Sequence, residues 1–206
     1  MHSFRFQRIL LVSLLCICAL FVSAQVQFGI KCGYNLAKLT LHSETFITRS
    51  NLSGFNAGLM ASIPVASQLF LQPELVYSQQ GNTTIIHGYT GDQHLTTSYN
   101  YLNLPVLLKY QHTSGMFAET GPQFGILLNV KFVAENAGQS TSKEDNQPLD
   151  FGWVFGLGYK IPKLNIGLDI RYNLGLTNTN RYGLPGSHAV CNRVFQVGVF
   201  YFFKHI

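Results

Sequence analysis

Six ionisable residues of this chain fall on the polar positions of segments that alternate polar and apolar: Lys31, Lys109 and Arg171 carry positive charge, Glu74, Glu119 and Asp169 negative charge. Three bases and three acids turned into one shared interior have an obvious chemistry, which is to pair, because an isolated charge taken out of water is costly. Lys109 and Glu119 flank the same short turn, His112-Thr113-Ser114-Gly115, and the spacing predicts a diagonal cross-strand pair. Hydrolytic chemistry would have to draw on Ser98, His94 and His87. Nucleophilic catalysis needs a base within hydrogen-bond reach of the nucleophile and a third group to orient it, and closeness along a polar stretch supplies neither. These three therefore read as polar loop residues, and Asp150 as a polar residue at a strand end. His42, His87, His94, His112, His188 and His205 show no metal-ligand spacing. No catalytic residue, cofactor or metal is expected.

The elements that must carry the six charges are strands. From Lys163 to Leu176 every even position (Leu164, Ile166, Leu168, Ile170, Tyr172, Leu174, Leu176) is apolar, against Asn165, Gly167, Asp169, Arg171 and Asn173 between them. This period-two pattern puts alternate side chains on opposite faces. Its length exceeds the roughly 9–11 residues with which a tilted strand crosses a bilayer. The same pattern predicts strands over Val26–Leu39, Leu52–Pro64, Gln68–Gln80, Tyr99–Gln111, Met116–Val130, Asp150–Ile161 and Arg193–Phe203, eight in all. Pro73 cannot donate to a ladder, so an irregularity is expected beside it. The connections alternate between long (Thr40–Asn51, Gly81–Ser98, Lys131–Leu149, Thr177–Asn192) and short (Val65–Ser67, His112–Gly115, Pro162). One rim of tight turns and one of loops is the signature of an all-β, eight-stranded antiparallel up-and-down barrel of the outer-membrane type, with both termini periplasmic.

Composition supports the same class. Charged residues make up 11% of the chain, against roughly 25% in soluble domains, which leaves little to cover a water-facing surface. No segment after the leader holds an apolar run near the roughly 18 residues of a spanning helix. A soluble cup of the lipocalin kind also alternates. Its wet face, however, should be rich in Lys, Glu and Thr, whereas the polar face here is mostly Gly and Asn, and the other carries Trp153 with many Tyr, Phe and Leu. The formal net charge of +5 is scattered and partly lies in the leader, so no nucleic-acid partner is expected.

Arg5 and Arg8, the apolar run Ile9–Val22 and Val22-Ser23-Ala24 have the order of a secretory signal. Residues 1–24 are expected to be cleaved, leaving 25–206 as one domain. Cys32, in a predicted strand, and Cys191, in a predicted loop, are expected to remain two separate thiols.

Several segments resemble the PorT-like outer-membrane β-barrel proteins of Gram-negative bacteria: Gly29-Ile30-Lys31-Cys32-Gly33-Tyr34-Asn35-Leu36, the run Leu71 to Gly81 around Gln72-Pro73-Glu74, Tyr101 to Tyr110 around Asn103-Leu104-Pro105, Gly121-Pro122, Arg171-Tyr172 with Gly175-Leu176, and Val194 to Gly198. Cys32 replaces a common Ala, and the chain ends in Lys204-His205-Ile206 where the family ends in an aromatic residue. The resemblance implies an integral outer-membrane barrel without a catalytic motif. Its partners would be outer-membrane lipid, the barrel-insertion machinery during biogenesis and, for some members, a protein secretion apparatus. The leading expectation is a structural or accessory barrel with a plugged polar lumen and loop-borne recognition. A secretion-apparatus component and a lipid- or peptide-hydrolysing enzyme are the alternatives.

Overall fold

The computed structural model describes residues 26–40, 47–88, 91–134, 138–142, 147–177 and 191–203. The leader, His42, His188 and the carboxyl-terminal tripeptide lie outside the described residues, as do parts of the long connections. Nine strands are present among the described residues: β1 (Gln27–Thr40), β2 (Ile47–Ala66), β3 (Leu69–Gly88), β4 (Gly91–Gln111), β5 (Met116–Ala134), β6 (Gly138–Ser142), β7 (Leu149–Lys160), β8 (Ile166–Gly175) and β9 (Cys191–Phe202). Each pairs antiparallel with its sequence neighbour except that β7 pairs with β5, and β1 pairs with β9 to close the ring. The barrel thus has eight strands. β6 is extra: it pairs with β5 from Val130 to Ala134, above the stretch Met116–Ile126 that β7 occupies. Closure satisfies the backbone N–H and C=O groups within the sheet, the condition for any β-structure in hydrocarbon.

Period-two patterning now acquires a direction. The apolar members of each strand point outward, with Phe28, Leu59, Leu157 and Leu168 each about 60% exposed, while Lys31, Asn35, Gln72, Glu74, Lys109 and Arg171 are buried inside. A water-soluble cup would have the reverse arrangement, so the inversion removes the lipocalin alternative: a continuous apolar belt of this size needs lipid against it. The wall even satisfies its polar aromatic internally, since Trp153 Nε1 donates to Thr120 Oγ1 at 2.8 Å.

Several boundaries differ from the sequence expectation. Within the segment Gly81–Ser98, expected as a loop, β3 and β4 stay paired from Gly81↔Ser98 up to Gly88↔Gly91. This ribbon lacks clean alternation because strands of 20 and 21 residues outrun the bilayer, so both ribbon faces are free of lipid. The expected loops 40–51 and 131–149 shrink for the same reason: β2 begins at Ile47, β5 runs to Ala134, and β6 pairs on top of it. Cys191 heads β9 rather than lying in a loop, opposite Thr40 and far along the strand from Cys32, and both thiols are free. The irregularity expected beside Pro73 is present as a break in the β3–β4 ladder, without a bulge. The β3–β4 register is the same at Pro73↔Val106 and at Val76↔Asn103, with a gap in the ladder between them. The β2–β3 shifts fall instead between Asn51 and Asn56 and between Pro64 and Ala66.

The strand expected from Lys163 starts at Ile166, because Pro162–Asn165 form the turn and Asn165 sits in the left-handed region at φ 55°. Asn tolerates that conformation better than most residues. Gly115 plays the matching part in the β4–β5 turn at φ 97°, where its N–H donates to His112 O at 2.9 Å.

Candidate functional site

All six charged positions point into the lumen and are at most 5% exposed. Lys31 comes from β1, Glu74 from β3, Lys109 from β4, Glu119 from β5, and Asp169 and Arg171 from β8. Arg171 is the hub. Its Nη1 and Nη2 each donate to one oxygen of Glu74 at 2.8 Å, the planar bidentate geometry in which a guanidinium matches a carboxylate best. Its Nε lies 2.6 Å from Glu119 Oε1, an ion pair too bent to count as a hydrogen bond, and Nη2 lies 3.5 Å from Asp169 Oδ2. Lys31 Nζ donates to Asp169 Oδ2 at 3.3 Å and stands 3.6 Å from Glu74 Oε2.

Lys109 behaves differently from the expected diagonal pair. Its Cα is directly opposite that of Glu119. The ammonium, however, donates to Gln72 Oε1 at 3.3 Å and lies 3.7 Å from the Phe117 ring centroid, with Phe200 and Phe202 also within cation–π range. Gln72 links the two charges: its Nε2 donates to Glu74 Oε1 at 2.7 Å and to Glu119 Oε2 at 3.2 Å. The guanidinium takes the near side of Glu119, and the lysine stem bends toward the aromatic end of the lumen.

Two further layers were not singled out from sequence. Toward the loop rim, Asn35 centres an amide cluster, accepting from Asn56 Nδ2 at 2.6 Å and Gln196 Nε2 at 2.9 Å while its own Nδ2 donates to Ser78 Oγ at 3.0 Å. These residues share the polar parity, so the alternation that exposed the charges carried this signal too. Toward the short-turn rim, Met60, Phe117, Phe200 and Phe202 form a buried apolar cluster, with Phe117 and Phe200 edge to face at 5.8 Å. Inward apolar residues are easy to overlook in a pattern where apolar means outward. A methyl group added at Gly167 would run into the Phe200 ring. Gly167→Ala is therefore expected to destabilise the barrel by about 1–3 kcal/mol through overpacking. Urea unfolding in detergent checks it, and an unchanged midpoint would mean that the ring has room to move.

The residues considered for hydrolysis do not converge. His94 and Ser98 lie four positions apart along β4, which at about 3.3 Å per residue is roughly 13 Å. The backbone partner of Ser98 is Gly81, while His94 faces Ile85 and His87 faces Asp92 across the ribbon. The hydroxyl is out of reach of the His94 imidazole. Asp150 sits at the start of β7, half-buried, and accepts a hydrogen bond from Asn192 Nδ2 at 3.1 Å. Among the described residues no group of three or more His, Cys, Asp and Glu side chains could hold a metal ion.

Comparison with known proteins agrees with this architecture. A family model described as outer membrane protein beta-barrel domain matches residues 22–181. Among solved structures the chain is similar in fold to Neisserial surface protein A (NspA), at 14% identity and a TM-score of 0.55, covering 85% of this chain and 97% of that one. Ail, the attachment invasion locus protein of Yersinia pestis, matches at 12% identity and 0.46, covering 86% and 98%, and OprG of Pseudomonas aeruginosa at 12% and 0.44, covering 87% and 96%. No curated protein matches the sequence.

Proposed function

The chain belongs to the outer membrane protein beta-barrel domain family and is integral to the outer membrane; from that premise we propose that it is a structural or accessory barrel, closed to bulk solute, whose specific business is done at its loop rim. The observation that carries this reading is the filling of the lumen by Arg171, its carboxylate partners and the layers of amide and aromatic side chains on either side. An eight-stranded barrel has an interior that side chains just fill, so charges in it are stable when paired rather than bathed. Recognition then falls to the rim of long connections, where β3 and β4 extend their paired ribbon beyond the bilayer. The described ends of β1 and β9 lie together at the short-turn rim, which supports a periplasmic position for both termini. Outer-membrane lipid contacts the wall, and the barrel-insertion machinery is the partner during biogenesis.

Planar-bilayer recording tests the reading. The refolded barrel is expected to give no large steady conductance, whereas a stable ohmic channel would overturn it. A second reading, a component of a protein secretion apparatus, is favoured by the segments around Gln72-Pro73-Glu74 and Asn103-Leu104-Pro105 that resemble the PorT-like proteins. Normal export of surface proteins in a deletion strain would remove it.

A further inference from the structure

One layer above the charged cluster, toward the loop rim, the lumen encloses a small cavity lined by Gln80 of β3, Gln123 of β5, Asp150 of β7, Asn173 of β8 and Asn192 of β9. Gly152 and Gly175, ladder partners on β7 and β8, bring no side chain to fill it. It has room for a single water-sized body. Three oxygens at this cavity, Gln80 Oε1, Asp150 Oδ1 and Asn173 Oδ1, meet no hydrogen-bond donor among the described residues. Gln80 and Asn173 are only 2% and 6% exposed. A buried acceptor left without a donor loses the hydrogen bonds it had in water and gains none in return, so the set calls for an occupant. Gln80 Nε2 donates to Ser78 Oγ at 3.2 Å, which directs its carbonyl oxygen away from that hydroxyl. Asp150 Oδ2 is occupied by Asn192 Nδ2, leaving Oδ1 for the cavity.

The chemistry of the occupant follows from the donor set. All three groups are acceptors and one is a carboxylate. A water molecule has two hydrogens and cannot donate to three acceptors at once, whereas a cation can be held by all of them. Oxygen ligands without thiolate or imidazole select hard cations. Calcium takes about 6–8 oxygens, commonly from several carboxylates, and magnesium demands near-ideal octahedral geometry. One carboxylate with neutral amide oxygens suits a single positive charge. The six charges below match three bases with three acids, and Asp150 stands outside that set. We propose that this cavity is a binding site for one sodium ion, held by Asp150, Asn173 and Gln80 in the loop-side lumen. The inference rests on the folded barrel alone and stands whether or not the lumen conducts.

Equilibrium unfolding of the refolded chain in detergent tests it, with NaCl exchanged for tetramethylammonium chloride at constant ionic strength. An ion bound by the folded state alone raises the folded-to-unfolded ratio by about tenfold at ten times its dissociation constant. The logarithm of that ratio should therefore climb with the logarithm of sodium concentration toward a slope of one. In Asp150→Asn, which keeps the shape and removes the charge, the slope should fall to zero. Equal stability in the two salts, or the same sodium slope in Asp150→Asn, would overturn the site. A response to CaCl2 with none to NaCl would overturn the assignment to a monovalent ion. Should the variant fail to refold, crystals of the unaltered chain grown in a thallium(I) salt decide it: an anomalous peak between Asp150 and Asn173 supports the site and its absence ends it.

Discussion

Replacing Arg171 with methionine is expected to destabilise the folded barrel by at least about 3–5 kcal/mol, the cost of breaking a buried ion pair by removing one partner. The side chain is 3% exposed, forks onto both oxygens of Glu74, and stands against Glu119 and Asp169 as well. Methionine keeps most of the stem, so packing changes little and the loss reports the charge. Three carboxylates would be left facing Lys31 and Lys109, and Lys109 is already engaged by Gln72 and the Phe117 ring. The second half of the experiment is the double variant. Adding Glu74→Gln to Arg171→Met should recover part of the loss, because it removes a carboxylate that has lost its partner, so the two changes should be strongly non-additive. Urea unfolding in detergent or vesicles measures both. A loss under about 1 kcal/mol for the single variant, of the size seen for exposed pairs, would show that water, not the guanidinium, holds these carboxylates.

The second large effect is expected on the other side of the same strand. Ile170 lies midway along β8, faces outward, and has Leu157 and Val197 as its ladder partners. Ile170→Arg puts a charge against lipid near the midplane and should cost about 2–4 kcal/mol, while the same change at Leu168, closer to the short-turn rim, should cost less because the penalty falls toward the interface. The ranking matters as much as the size. Equal, negligible costs at the two positions would mean that the apolar belt does not face lipid, and a larger cost at Leu168 would shift the bilayer along the barrel axis.

The two substitutions test the two faces of one alternation, and that alternation is what the sequence by itself determined. Side-chain direction in a strand follows from local geometry, with a period of two that no tertiary contact has to enforce. Lys31, Glu74, Lys109, Glu119, Asp169 and Arg171 could be assigned to a common interior, and Phe28, Leu168 and Trp153 to the wall, from neighbouring residues alone. The short turns between strands followed from composition in the same way, and with them an even-numbered closed sheet.

What only the tertiary structure decided is which inward residues meet. Arg171 and Glu74 are 97 positions apart and lie on β8 and β3, so their contact depends on the stagger of strands around the closed ring. Parity says that a residue points inward but leaves open at what height and toward which wall. The diagonal pairing of Lys109 with Glu119 failed on that point: the two are directly opposed in the ladder, yet Gln72 and the Phe117 ring stand where the ammonium ends. The convergence of Gln80, Asp150 and Asn173 was hidden for the same reason, each being one unremarkable polar residue on its own strand. The ribbon of β3 and β4 was hidden for a different one. Above the bilayer both faces of a strand are wet, the alternation that announces a strand fades, and only pairing with a neighbour shows that 81–88 and 91–98 are sheet and not loop.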